Sequence, residues 1–167
     1  MTATRPSDSY TLAVVRSPAE FAEALALRIA VFCDEQGIAV EIERDAEDDV
    51  ATHVVIRDPQ GRVVGTGRVL RELSDGRLVG IRTAGEESDA ARIGRMAVAA
   101  SERKSGVGAR VIAALEGEAR SAGLRSARLH AQLHAAPFYL RCGYEPHGPQ
   151  FEEVSIPHVE MVKRLEG

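Results

Sequence analysis

Apolar positions along the chain change period several times, and each change marks an element. Thr11–Val15 is a short run that predicts a strand. Ser17-Pro18-Ala19-Glu20 then carries the features of a helix start. Ser17 can cap, Pro18 suits the first helical position, and Glu20 completes a capping box. Phe21, Leu25, Ile29 and Phe32 follow at helical spacing and predict one apolar stripe, which Gly37 ends. Thr52–Arg57 and Val63–Arg71 read as strands joined by the turn Asp58-Pro59-Gln60-Gly61, a hairpin signal. A second turn falls at Ser74–Gly76, and Leu78–Arg82 adds a short extended piece.

The second half has the clearer periodicity. Ala91–Val98 predicts a strand, and Val107–Ala122 predicts a helix whose Val107, Val111, Leu115 and Ala119 share a face. Gly123 is placed to end that helix in a left-handed conformation. From Arg125 to Leu133 the pattern alternates: Ala127, Leu129, Ala131 and Leu133 point one way, Ser126, Arg128, His130 and Gln132 the other. A short helix over Pro137–Arg141 ends at Gly143, and strands around Tyr144 and over Ile156–Arg164 follow. The order predicts a mixed α/β domain spanning residues 1–167. It has a mostly antiparallel central sheet, flanking helices and one right-handed parallel strand-helix-strand unit.

Composition narrows the function classes. At 44% hydrophobic and 28% charged residues, the balance is that of an ordinary globular chain. Aromatics are 4% and Trp is absent, so Val, Ile, Leu and Ala must build the core. A net charge of −4 gives a nucleic-acid role no electrostatic support. Cys33 and Cys142 are isolated, no His/Cys spacing suggests a metal site, and two separate thiols suit a reducing cytoplasm. The polar segment Met1–Thr11 lacks the apolar stretch of a signal peptide, and no apolar run is long enough to cross a bilayer. The acidic segment Glu41–Asp49 reads as an irregular solvated loop.

The segment that carries chemistry is Arg103-Lys104-Ser105-Gly106-Val107-Gly108-Ala109, between a strand and an amphipathic helix. The first amides of a helix lack internal partners and carry partial positive charge, so a pyrophosphate can bind them directly. Gly106 and Gly108 let the backbone approach, and Arg103 and Lys104 add charge beside it. A Walker loop would need Gly-Lys followed by Ser or Thr. A dinucleotide fingerprint would need a third glycine where Val111 stands.

This pattern resembles the GNAT superfamily of N-acetyltransferases. Arg103, Gly106 and Gly108 match its signature of Arg or Gln, two residues, Gly, one residue, then Gly or Ala. Ile93-Gly94-Arg95-Met96-Ala97-Val98 looks like the family's central strand. Ala135-Ala136-Pro137-Phe138-Tyr139-Leu140-Arg141-Cys142-Gly143-Tyr144 looks like its "A-x-x-F-Y-x-x-x-G-F/Y" segment. Val31-Phe32-Cys33-Asp34-Glu35-Gln36 and Ile156-Pro157-His158-Val159-Glu160-Met161 resemble a bacterial subgroup whose acceptors often lack assignment.

The resemblance implies transfer of an acetyl group from acetyl-CoA to a small-molecule or peptide amine, by direct attack in a ternary complex. Met96, Ala97 and Val98 would meet the pantetheine arm, and Lys104, Ser105, Gly106, Val107, Gly108 and Ala109 the pyrophosphate. Tyr139 would protonate the departing thiolate, with Glu35 and His158 as candidate bases. No covalent enzyme intermediate and no metal are called for, and free strand edges leave a homodimer open. Three alternatives stay open: a non-catalytic acyl-CoA-binding module, an acyltransferase with a longer donor such as an acyl-homoserine lactone synthase, and a ligand-free interaction domain.

Overall fold

A computed structural model describes residues 9–84 and 88–165, apart from the side chains of residues 41 and 42. The N-terminal segment read above as lacking a leader lies mostly outside the described residues. The strands are β1 (Thr11–Val14), β2 (Thr52–Arg57), β3 (Val63–Glu72), β4 (Leu78–Val79), β5 (Ala90–Val98), β6 (Ser126–Gln132), β7 (Glu145–Pro146), β8 (Phe151–Glu153) and β9 (Ile156–Arg164). The helices are α1 (Pro18–Arg28), α2 (Val40–Glu43), α3 (Val107–Ser121) and α4 (Ala136–Arg141). The sheet runs β1-β2-β3-β5-β6-β9-β7, with β4 on β3 and β8 on β9. Every pairing is antiparallel except β5 with β6. The predicted mixed α/β architecture is the observed one.

The α3 face packs as its periodicity predicts. Val107, Val111, Leu115 and Ala119 are at most 3% exposed, and they lie on β2, β3 and β5. Ala127, Leu129 and Ala131 of β6 join the same core. Two glycines let α3 approach. A Cβ on Gly65 would stand 2.6 Å from Ile56 and Val107, and one on Gly67 2.7 Å from Leu115. The helix stops at Ser121, where the Leu124 N–H closes back on the Ala119 carbonyl at 2.9 Å across Gly123.

The opposite face departs from expectation. The Ser17 cap is present, since its Oγ accepts the Glu20 N–H at 3.2 Å. However, Phe21, Leu25, Ile29 and Phe32 are only half-buried, and the residues turned most fully inward are Ala24, Arg28 and Val31. After Arg28 the helix widens into a π-helical stretch, Ile29–Glu35, which shifts the side chains that follow.

The acidic segment is not a solvated loop. It forms α2 and a 3₁₀ turn, Ala46–Asp49, and it buries Glu43 and Asp48. Their charges are met by arginines: Arg28 Nη1 reaches Asp48 Oδ1 at 2.8 Å and Arg28 Nε pairs with Glu43. Arg68 of β3 bonds Asp48 Oδ1 at 2.8 Å and Asp45 Oδ2 at 3.0 Å. Buried charges are tolerated only when paired in this way.

Candidate active site

The site begins with a failure of strand pairing. β5 and β6 pair only over Ala90–Arg92 and Ser126–Arg128, although both strands continue. The cause lies on the other edge of β5. Against β3, Thr66 pairs with Ala97 and Arg68 with Gly94, so Gly67 alone faces Arg95 and Met96. This is a bulge, and Arg95 sits in it at φ 51. A bulge bends its strand and increases twist, so β5 swings away from β6. Its edge from Ile93 to Val98 is left without a strand partner among the described residues. A groove of about 770 Å³ opens along this splay.

The groove lining reaches Arg103, which in sequence precedes the Gly106 that opens α3. The preceding loop is left-handed at Lys104 (φ 68) and Gly106 (φ 91). No side chain caps the helix and its first turn has no acidic residue. Gly106 stands in open space, with no heavy atom within 4 Å of where a Cβ would project. Gly108 serves a different end: a Cβ there would meet Phe138 Cζ of α4 at 3.1 Å, so its bareness seats the aromatic helix. Arg103 folds back over the strand, its Nη2 donating to the Val98 carbonyl at 3.2 Å and pairing with Glu35 Oε1 at 2.7 Å. The Val107 side chain is core, whereas Arg103, Lys104 and Ser105 are exposed.

Tyr139 lines the groove from α4, with its ring edge-on to Phe138 and Tyr144 at 5.0 and 6.0 Å. Burial, with a smaller contribution from Cys142, pushes its phenol well above the ordinary value. It therefore stays protonated across the neutral range.

The far wall lies on the α1 face of the sheet. Arg68 points here, opposite its α3-facing neighbour Gly67 and core neighbour Val69, and so do His130 and Gln132, on the face of β6 away from the core. Gln132 Nε2 donates to Gln36 Oε1 at 2.8 Å. His158 stands beside Gln132 in register and is 4% exposed. Its Nδ1 lies 2.6 Å from the Ile156 carbonyl, which can only accept, so Nδ1 carries the hydrogen and Nε2 keeps its lone pair. Glu35 and Glu47 line the same wall, as do Glu43, Asp45 and Arg95 of the buried network. Arg95 Nε lies 3.0 Å from Glu43 Oε2 and its Nη2 3.1 Å from Asp45 Oδ2, which ties the bulge to that network.

The groove thus brings together Met96, Ala97, Val98, Arg103, Glu35, Tyr139 and His158 from the sequence reading. The turn residues from Lys104 to Ala109 follow Arg103 in sequence but do not line the groove. Sequence reasoning did not single out Arg92, Arg95 and Glu153, which also line it. It considered His130 but not its neighbours. The alternation of polar residues on β6 could have flagged that face; nothing local marks the bulge. Among the described residues no group of three or more His, Cys, Asp or Glu is placed to hold a metal, and no helix is long and apolar enough to cross a membrane.

Comparison with known proteins agrees with this geometry. Residues 23–165 match the family model of the acetyltransferase (GNAT) domain. The chain is similar to two Bacillus subtilis proteins, each over 90% of its own length. It is 32% identical to the uncharacterised protein YyaT, over 93% of that chain, and 30% identical to the uncharacterised N-acetyltransferase YjcF, over 96% of that chain. Among solved structures, a candidate N-acetyltransferase from Lactobacillus plantarum superposes with a TM-score of 0.79 at 29% identity, over 94% of this chain and 99% of the other.

Proposed function

This chain belongs to the GNAT acetyltransferase family, and on that premise we propose that it transfers an acetyl group from acetyl-CoA to an amine by direct attack in a ternary complex. The family fold supports acyl transfer from acyl-CoA in general; the acetyl donor and the amine acceptor are the more specific part of the reading. The observation that carries it is the continuity of the splay. One groove runs from Arg103, just before the turn that opens α3, past the unpaired edge of β5, to a protonated phenol and a histidine with a free lone pair.

The residues present fit a CoA thioester. The Gly106 turn leaves open space before the free amides of α3, with Lys104 beside them, which suits a pyrophosphate. The edge at Met96, Ala97 and Val98, which among the described residues has no strand partner beyond the Arg103 contact to the Val98 carbonyl, suits an extended amide-bearing arm that can pair with it as a strand would. Acetyl-CoA supplies the acyl group as a reactive thioester.

The protein's own groups handle the protons. A lysine-like amine has a pKa of about 10.4 and arrives protonated. His158 Nε2 takes one proton, directly or through water, and frees the nitrogen lone pair for attack. A backbone N–H near the bulge polarises the carbonyl. As the C–N bond forms and the C–S bond breaks, Tyr139 protonates the thiolate, and the second proton lost by nitrogen passes to the Tyr139 phenolate, directly or through water, leaving the net proton on His158 for release to solvent. Glu35 acts as the counter-charge to Arg103 and as an alternative proton acceptor. The chain works as one domain, and its two separate, half-buried thiols suit the cytoplasm.

The test is thiol release from acetyl-CoA across a panel of amines, run with Tyr139→Phe. The variant is expected to lose turnover by about 100-fold while binding acetyl-CoA as before. Unchanged turnover rejects the acid role. Binding without release for any amine would identify a non-catalytic acyl-CoA module instead.

A further inference from the structure

Four polar side chains on the α1 face form a chain that ends at His158. Arg92 of β5 is anchored by Glu72, with Nη2 2.7 Å from Oε1. Its Nη1 lies 2.9 Å from His130 Nε2. It also lies 3.3 Å from Nδ1, so the guanidinium stands against the imidazole ring, and the hydrogen on Nδ1 is set by Glu153, whose carboxylate can only accept. That Nδ1 lies 3.1 Å from Glu153 Oε1 and donates to it. The other oxygen, Oε2, lies 3.7 Å from His158 Nε2, the atom whose lone pair the Ile156 carbonyl leaves free. Phe151, two residues before Glu153, walls off the cluster. It meets His130 edge-on at 4.9 Å and stacks on His158 at 5.9 Å.

The backbone supports the placement of Glu153. It ends β8 and pairs in register with Ile156, so Val154 and Ser155 alone make the hairpin turn. Both have positive φ, 46 and 63. A β-branched residue in that region is strained, and such strain persists only where its surroundings hold it. Glu153 and Val154 both line the groove.

We propose that Glu153 is the positioning residue that makes His158 a proton acceptor, with Arg92 and His130 holding its carboxylate in place. This rests on the reading of His158 as the base. Glu153 is suited to the task because it stays ionised: the His130 hydrogen bond first, with the charges of His130, His158 and Arg95, keeps its carboxyl below the usual range. A carboxylate 3.7 Å from Nε2 does nothing for a neutral ring but attracts an imidazolium, so it lowers the cost of taking the ammonium proton. The other charged or titratable groups on this side include Glu160 on β9, Arg95 on β5, Glu35 on the π-helical stretch, Glu47 on the 3₁₀ turn, Glu43, Asp45 and Arg68 of the buried network, and Arg103 and His134. Arg95 and Glu35 have partners of opposite charge within 3.1 Å, and Glu160 faces Arg128 and His147.

The test is Glu153→Gln, which keeps shape and removes charge. In the ligand-free protein, the His158 imidazole C–H resonance (assigned by its loss in His158→Gln) is titrated by NMR. Its midpoint is expected to move to lower pH by about one unit in the variant. In the kcat/KM profile the acidic limb is expected to move the same way, and the plateau to fall by about tenfold. A merely structural role would lower the plateau without moving the limb. An unmoved NMR midpoint overturns the coupling, whether or not any amine is turned over. A moved midpoint with an unmoved limb overturns His158 as the base that Glu153 serves. Absence of acyl transfer from the parent protein, by contrast, counts against the function reading.

Discussion

The two faces of the sheet are built on different principles. The α3 face is apolar, ordered by i, i+4 spacing, and its functional turn is contiguous in sequence. The α1 face is held by charges brought together across the chain: Arg28, Arg68 and Arg95 against Glu43, Asp45 and Asp48. On the proposed reading, the first face would bind its ligand through backbone groups that any side chains can frame. The second shapes a groove, and its contacts depend on particular side chains. The bulge at Arg95 joins the two, because it opens the splay for the first face and is tied down by the second.

Breaking one member of each face sharpens this contrast. Arg28→Ala leaves Glu43 and Asp48 short of a partner at a site where Arg28 is 1% exposed. It is expected to cost about 4 kcal/mol, since an orphaned buried charge is worse than a lost contact. Leu115→Ala, on the α3 face, is expected to cost about 3 kcal/mol through a cavity alone. Denaturant unfolding of both variants checks the order. A smaller loss for Arg28→Ala than for Leu115→Ala would mean that water enters the network and the two faces differ less than their burial says.

Acid separates the faces by a smaller amount. Burial opposes ionisation of Asp48, but the hydrogen bonds and charges of Arg28 and Arg68 outweigh it and hold its carboxyl down at about 2. The folded value is thus depressed below the ordinary 3.8. The resulting stability is present above pH 3.8 and lost as pH falls through about 2. It amounts to roughly 2 kcal/mol. Unfolding free energy measured down this range is expected to fall by that amount in the parent protein and by less in Asp48→Asn.

The contrast also explains what the sequence made legible. Val107, Val111, Leu115 and Ala119 announce α3 because helical periodicity is local, and the Gly106 turn is visible because its residues are consecutive. The strand Phe151–Glu153 was not foreseen: its hairpin turns on Val154-Ser155, and neither residue is an ordinary choice for positive φ. Arg95 gives no warning of its bulge for the same reason. Arg28 does not stand out in the sequence, because the carboxylates that pair with it lie 15 and 20 positions away. The acidic segment misled in the same way, since a run of charges reads as solvated until its partners are known.

The central claim is that the splay and the α3 start together bind acetyl-CoA, and thermal unfolding with and without that ligand tests it most directly. A ligand that binds only the folded state stabilises by about 2.7 kcal/mol at a hundredfold excess over Kd. The account expects a clear rise in Tm, lost in Gly106→Glu, where a side chain and a negative charge enter the open turn. No rise in the parent protein at millimolar acetyl-CoA would contradict it.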